Sequence, residues 1–144
     1  MLHVLKRFTG MPANRRGISV EAVVALAVAR FLVLTVPIRW IAGRLERQAS
    51  GTSVCPAAAE EIVHEVGWAV RAASSKTPWK SACLAQALAG KWMLGRRGLH
   101  GTIRLGVARD ADGNLQAHAW LYAGDTLLTG GGPVGHFTAI GDLE

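Results

Sequence analysis

Residues 102–122 read Thr102-Ile103-Arg104-Leu105-Gly106-Val107-Ala108-Arg109-Asp110-Ala111-Asp112-Gly113-Asn114-Leu115-Gln116-Ala117-His118-Ala119-Trp120-Leu121-Tyr122. Ile103, Leu105 and Val107 alternate with Thr102, Arg104 and Gly106, the two-residue period of a half-buried strand. Asp110 to Asn114 supplies turn residues. Alternation resumes at Leu115, putting His118, Trp120 and Tyr122 on one face and Ala117, Ala119 and Leu121 on the other. A turn at Gly124-Asp125 leads to a further strand over 126–129. Gly130-Gly131-Gly132-Pro133 reads as a flexible loop, and Phe137 to Ile140 as a last short edge strand.

Ahead of this hairpin the period is helical. A helix over about 81–97 stops at Gly98, which suits a left-handed cap, with Arg96 and Arg97 at the negative end of the dipole. Cys83 falls in its first turn. Before a polar loop containing Pro78 and Trp79, Ile62, Val66, Ala69, Val70 and Ala73 recur at helical spacing behind Cys55-Pro56, with Glu60 and Glu61 near the helix start. Further upstream, Ser19 is an expected N-cap with Glu21 in the first turn, and an apolar run to Val36 ends or kinks at Pro37. Helices first and antiparallel strands later predict an α+β fold in which N-terminal helices pack on a small antiparallel sheet. The expected organisation is a flexible basic lead-in over 1–17 and a single domain over 18–144.

Half of the 144 residues are hydrophobic, 18% are charged and the formal net charge is +6. That balance suits an acidic partner, yet no aromatic-basic recognition motif accompanies the scattered arginines, so nucleic acid is not expected. Cys55 and Cys83 make neither a disulfide framework nor a zinc pattern, which points to a reducing, cytoplasmic compartment. The histidines are dispersed without metal-ligand spacing, so no metal or other cofactor is expected; His64 reads as an ordinary helical histidine and Cys55 as a structural thiol. The apolar run between Ile18 and Ile41 approaches the length of a membrane helix, against which stand Arg30 in its middle and Pro37. A buried or partner-contacting helix, a helix lying on a membrane surface and a spanning helix are the three readings it leaves open.

A helix N-terminus concentrates unpaired N–H groups, which favour a thiolate and can hold an oxyanion. An imidazole within reach of that thiol completes a nucleophile and its base. Cys83 and His118 are the residues placed to do this, although a buried helical cysteine of the core satisfies the same pattern. In order, Cys83-Leu84 with an Ala-rich helix, Gly95-Arg96-Arg97-Gly98, Arg104-Leu105-Gly106-Val107, Asp112-Gly113 and Ala117-His118-Ala119-Trp120 resemble the lasso-peptide biosynthesis B-protein family over residues 18–132. This is a family of leader peptidases with a transglutaminase-like, papain-related fold.

The resemblance implies a cysteine protease that cuts the leader from a ribosomally made lasso precursor, with Cys83 as nucleophile and His118 as general base and acid. It implies three partners: the precursor's leader, a separate leader-recognition protein that presents it by strand addition, and an asparagine-synthetase-like cyclase that uses the freed core. Trp79, Ala82 and Trp120 are implied to line the oxyanion site or substrate groove. The family's third catalytic residue, an acid on the strand after the histidine, has no carboxylate at the matching place near Thr129-Gly130. Asp125 is the nearest acid; a carbonyl or a hydroxyl such as that of Thr129 is the alternative orienter. An acyl transferase of the transglutaminase type and a non-enzymatic, membrane-associated scaffold subunit are the competing functions.

Overall fold

The computed structural model describes residues 12–37, 40, 57–76, 83–109, 111–131 and 137–143. Its elements are α1 (Ala13–Thr35), α2 (Ala57–Ser74), α3 (Cys83–Gly95), β1 (Thr102–Arg109), β2 (Leu115–Ala123), β3 (Thr126–Thr129) and β4 (Thr138–Leu143). The four strands form one antiparallel sheet in the order β3-β2-β1-β4, and the helices pack together on one of its faces. The α+β architecture of helices on a small antiparallel sheet is as the period change implies.

α1 begins earlier than its sequence signals suggest. Pro12 sits at the N-cap and the helix takes in residues 13–17 of the basic lead-in. Ser19 is therefore mid-helix, where its hydroxyl donates back to the Arg15 carbonyl at 2.7 Å, a local bond that short hydroxyl side chains make inside helices as readily as at caps. Glu21 likewise lies beyond the first turn and serves a tertiary contact. Its carboxylate takes two hydrogen bonds from Arg97, at 3.0 and 2.6 Å, just past the end of α3. The far end is as expected: Val36, ahead of Pro37, is extended and its N–H reaches the Leu32 carbonyl at 2.8 Å.

One face of α1, made by Ile18, Ala22, Ala25, Leu26 and Ala29, is buried against α2 and α3. The stripe expected on α2 is buried too, with Val66, Ala69, Val70 and Ala73 in the core, while His64 is exposed. Small residues let α3 lie close to the sheet: a Cβ on Gly90 would stand 2.4 Å from Leu121 Cδ2. Gly98, at φ +70, ends α3 as expected, and the Leu99 N–H reaches back to the Leu94 carbonyl at 3.0 Å, the six-to-one bond of a Schellman cap.

β1 and β2 pair from Thr102 opposite Tyr122 to Arg109 opposite Leu115, joined through Gly113 at φ +82. β4 runs over 138–143 and pairs with β1 on its other side, with a register shift between Leu105 and Gly106. Arg104 clamps it there, donating to both carboxylate oxygens of Asp142 at 2.8 and 3.1 Å. Two arginines fix other seams: the Arg15 guanidinium lies 5.3 Å over the Trp68 ring, and Arg71 on α2 donates to the Leu128 carbonyl of β3.

Candidate active site

Cys83 is the first residue of α3 and is half-buried, its side chain packed against the helix-sheet core. In that position the early N–H groups of the helix have no intrahelical acceptor and are open to a bound group. The expected groove residues Trp79 and Ala82 lie outside the described residues, as does Cys55.

His118 is the fourth residue of β2, half-buried, opposite Gly106 of β1. Its imidazole sits in an aromatic corner, with ring centroids 4.7 Å from Trp120 and 5.3 Å from Phe137, which themselves lie 5.2 Å apart edge to face. Gly106 leaves the room for this corner, since a Cβ there would stand 2.7 Å from the Trp120 ring and 3.1 Å from Phe137 Cβ. Trp120, expected to line a groove, is instead 1% exposed and forms the floor under the imidazole.

The imidazole Nε2 is 3.0 Å from the carbonyl oxygen of Gly130. A carbonyl only accepts, so Nε2 carries the proton and donates it, and a neutral His118 leaves Nδ1 as its free base. Gly130 holds this carbonyl in a backbone conformation that suits glycine, φ +92, and is itself buried. Any Cβ at that position would come 2.4 Å from the Ala119 carbonyl oxygen and 2.9 Å from Trp120 Cα. The stretch read as a flexible glycine loop thus begins with a tightly packed residue. The Thr129 hydroxyl, the other orienter considered, is buried with no hydrogen-bond partner among the described residues.

Asp125 is not brought to the imidazole. It stays exposed in the Gly124-Asp125 turn beyond the end of β2, and the five residue steps from His118 to Ala123 alone span about 16 Å of strand. A strand-end turn is where short acidic residues satisfy solvent and backbone, and the hairpin geometry carries it away from mid-strand.

Alternation along β2 puts His118 and Trp120 on the sheet face opposite Leu121, which packs under α3. β3 pairs with β2 only at Leu121 to Ala123. No described strand flanks β2 on that side at His118, so the imidazole sits at an edge position beside Gly130, just past the end of β3. From the Gly90–Leu121 contact, Cys83 lies seven residues toward the start of α3, about 10 Å of helix. His118 lies three residues toward the start of β2, about 10 Å of strand. Both are displaced away from the corner where Leu94, Gly101 and Tyr122 meet, but on opposite sides of β2: the thiol packs with the α3-side core, and the imidazole contacts Trp120, Phe137 and Gly130.

A cysteine at the first residue of a helix, a strand-borne histidine bonded to a backbone carbonyl, and helices on one face of an antiparallel sheet accord with the comparison to known families, in which residues 23–142 match the Transglutaminase-like superfamily. The chain belongs to that superfamily. No curated protein and no solved structure matches it. The match begins inside α1, so the apolar helix is part of the transglutaminase-like domain. Membership supports thiol chemistry of the papain-like kind, peptide hydrolysis or acyl transfer. Among the described residues, no group of three or more His, Cys, Asp or Glu is arranged to hold a metal ion.

Proposed function

We propose that this transglutaminase-like protein is a cysteine peptidase that removes the leader from a ribosomally synthesised lasso-peptide precursor. The observation that carries the reading is the His118 Nε2–Gly130 carbonyl bond. It fixes a base-competent imidazole without a carboxylate, filling the gap left in the sequence where an acid is expected. The second support is a thiol at the first residue of α3.

The mechanism requires the Cys83 thiol, which packs on the α3 side of the sheet, to reach Nδ1 of His118 at the sheet edge; Nδ1 then takes its proton and the thiolate attacks the carbonyl carbon of the scissile bond. The N-terminal N–H groups of α3 stabilise the oxyanion. Collapse of the tetrahedral intermediate breaks the C–N bond, Nδ1–H protonates the leaving amine, and the core peptide departs with a free amino terminus. Water, deprotonated by Nδ1, then hydrolyses the leader thioester to a carboxylic acid and restores the thiol. The carbonyl of Gly130 holds Nε2–H through every step, the orienting task that a side-chain acceptor performs in other thiol and serine hydrolases. A separate leader-recognition protein presents the precursor by strand addition, and an asparagine-synthetase-like cyclase takes up the freed core.

The test is mass spectrometry of a precursor peptide incubated with the protein and its leader-binding partner. Free leader acid and intact core are the expected products, absent with Cys83→Ala and with His118→Ala. A leader amidated by an added amine, with no free acid, would identify an acyl transferase instead. Processing that persists in a folded Cys83→Ala protein would remove the peptidase reading and leave the scaffold role.

A further inference from the structure

Among the described residues, half of α1 has no partner. Taking 100° per residue, Arg16, Val20, Val23, Val24, Ala27, Val28, Phe31 and Leu34 share the side opposite Ile18, Ala22, Ala25, Leu26 and Ala29. All eight are exposed, with Phe31 and Leu34 at 66% and 70%. From Val20 to Leu34 this stripe is continuous and apolar for about 21 Å. It carries no acidic residue, and the nearest on its flank, Glu21, is neutralised by Arg97.

We propose that this stripe is a docking surface for an anionic lipid bilayer, on which α1 lies parallel to the membrane plane. Three observations select that occupant. The first is charge: the chain carries a formal net +6, and Arg16 stands exposed at the N-terminal end of the stripe, as on helices that sink one face among lipid headgroups. The second is area. A stripe about 21 Å long and one helix wide offers on the order of 200 Å², against about 800 Å² per partner in a stable protein interface. A second copy meeting this face alone falls well short, whereas a bilayer sets no such minimum. The third is composition, because the stripe is aliphatic apart from Phe31 and has none of the Tyr or Trp anchors that concentrate protein-interface energy. Trp40, 68% exposed just past the helix, is of the type that settles at headgroup depth.

The same helix is long and apolar enough to cross a membrane by length and composition. Lying on the surface is the arrangement compatible with the fold, because crossing would strip Ile18, Ala22, Ala25, Leu26 and Ala29 from the core and separate Glu21 from Arg97. The surface mode keeps the buried face in the domain and gives only the opposite one to lipid.

The experiment is vesicle co-sedimentation of the full chain with phosphatidylcholine alone and with phosphatidylcholine containing phosphatidylglycerol. Binding is expected to the mixed vesicles, to weaken with salt, and to fall at least about tenfold in a Val24→Ser, Val28→Ser, Phe31→Ser triple variant. Those positions are exposed, so circular dichroism should show the variant folded; if it does not, Arg16→Glu is the second variant, expected to lose the preference for the anionic lipid. A protein that stays in solution with mixed vesicles overturns the proposal. Equal sedimentation of the folded triple variant, or a dimer by light scattering that dissociates on the same substitutions while lipid binding is absent, also overturns it.

Discussion

Replacing Gly130 by alanine should separate the orienting carbonyl from its imidazole with little help from global unfolding. The added methyl would start 2.4 Å from the Ala119 carbonyl oxygen and 2.9 Å from Trp120 Cα, both backbone atoms of β2 that cannot swing aside like a side-chain tip. Restoring ordinary contact requires a shift of about 1 Å, and a non-glycine residue at φ +92 carries its own strain of about 1–3 kcal/mol. The His118–Gly130 bond, 3.0 Å in the native protein, would open toward roughly 4 Å, past the range in which it fixes the ring. A stability loss of about 2–3 kcal/mol from a domain stable by at least about 5 kcal/mol leaves more than about nine-tenths of the molecules folded. A misplacement of about 1 Å in a reacting group costs on the order of a hundredfold in rate. For the proposed peptidase, the assay is kcat for leader release, read by quantitative mass spectrometry beside a thermal melt, with Thr129→Val as a neighbouring control that keeps the carbonyl. A substrate-free check is the ¹⁵N spectrum of His118, expected as the Nε2–H tautomer in the native protein. A folded Gly130→Ala variant within about threefold of native kcat, or an Nδ1–H tautomer in the native protein, would refute the carbonyl as orienter.

Asp125→Asn should leave kcat within about twofold, because the carboxylate is exposed and lies beyond the end of β2, about 16 Å of strand from His118; a large loss in the same cleavage assay would reinstate it. The hydrogen bonds from Arg97 hold the Glu21 carboxyl below its ordinary value of 4.5. A depressed folded-state value means the contribution is fully present above the ordinary, unfolded-state value and is lost as pH falls through the folded one. Thermal melts from pH 6 down to about pH 3 should therefore show an acid-side decline that is shallower in Glu21→Gln, with about 1 kcal/mol lost near neutrality after solvent screening. Gly90→Ala should destabilise by about 1–2 kcal/mol, since crowding of Leu121 outweighs a gain of up to about 1 kcal/mol in helix propensity. Adding Leu121→Val should recover part of the loss in chemical denaturation; strict additivity would show that the two residues do not compete for the same space.

The fold was legible wherever one period dominated. The alternation from Ile103 to Tyr122, the turn around Gly113 and the stop at Gly98 are local signals with local causes, and each appears where its residues place it. The start of α1 was not legible at Ser19, because a hydroxyl that caps a helix also bonds within one, and only tertiary contact shows that Glu21 answers Arg97 across 76 residues. The extent of β4 escaped for a related reason: an exposed edge strand has no buried face to impose an alternating pattern, and pairing with β1 and the Arg104–Asp142 clamp define it instead.

Within the candidate site, the contrast is between side chains and main chain. A thiol at a helix start and an imidazole in an alternating strand advertise themselves by residue type. A carbonyl does not, since every residue has one, and glycine repeats usually mean freedom. At Gly130 the positive φ and the 2.4 Å approach to Ala119 oxygen imply that glycine is required for closeness. The missing side-chain acid and the glycine are then linked consequences of one backbone geometry. A carboxylate-bearing residue cannot occupy this place without moving β2, and with the glycine in it the backbone itself presents the acceptor to Nε2. On this reasoning an acidic substitution at Gly130 would restore the family's residue type and still impair the site, because its Cβ meets the same two backbone atoms as alanine's before its carboxylate can reach the imidazole. Gly130→Asp should therefore fall at or below Gly130→Ala in kcat; an aspartate variant more active than the native protein would show that the strand yields and that charge, not closeness, limits the reaction.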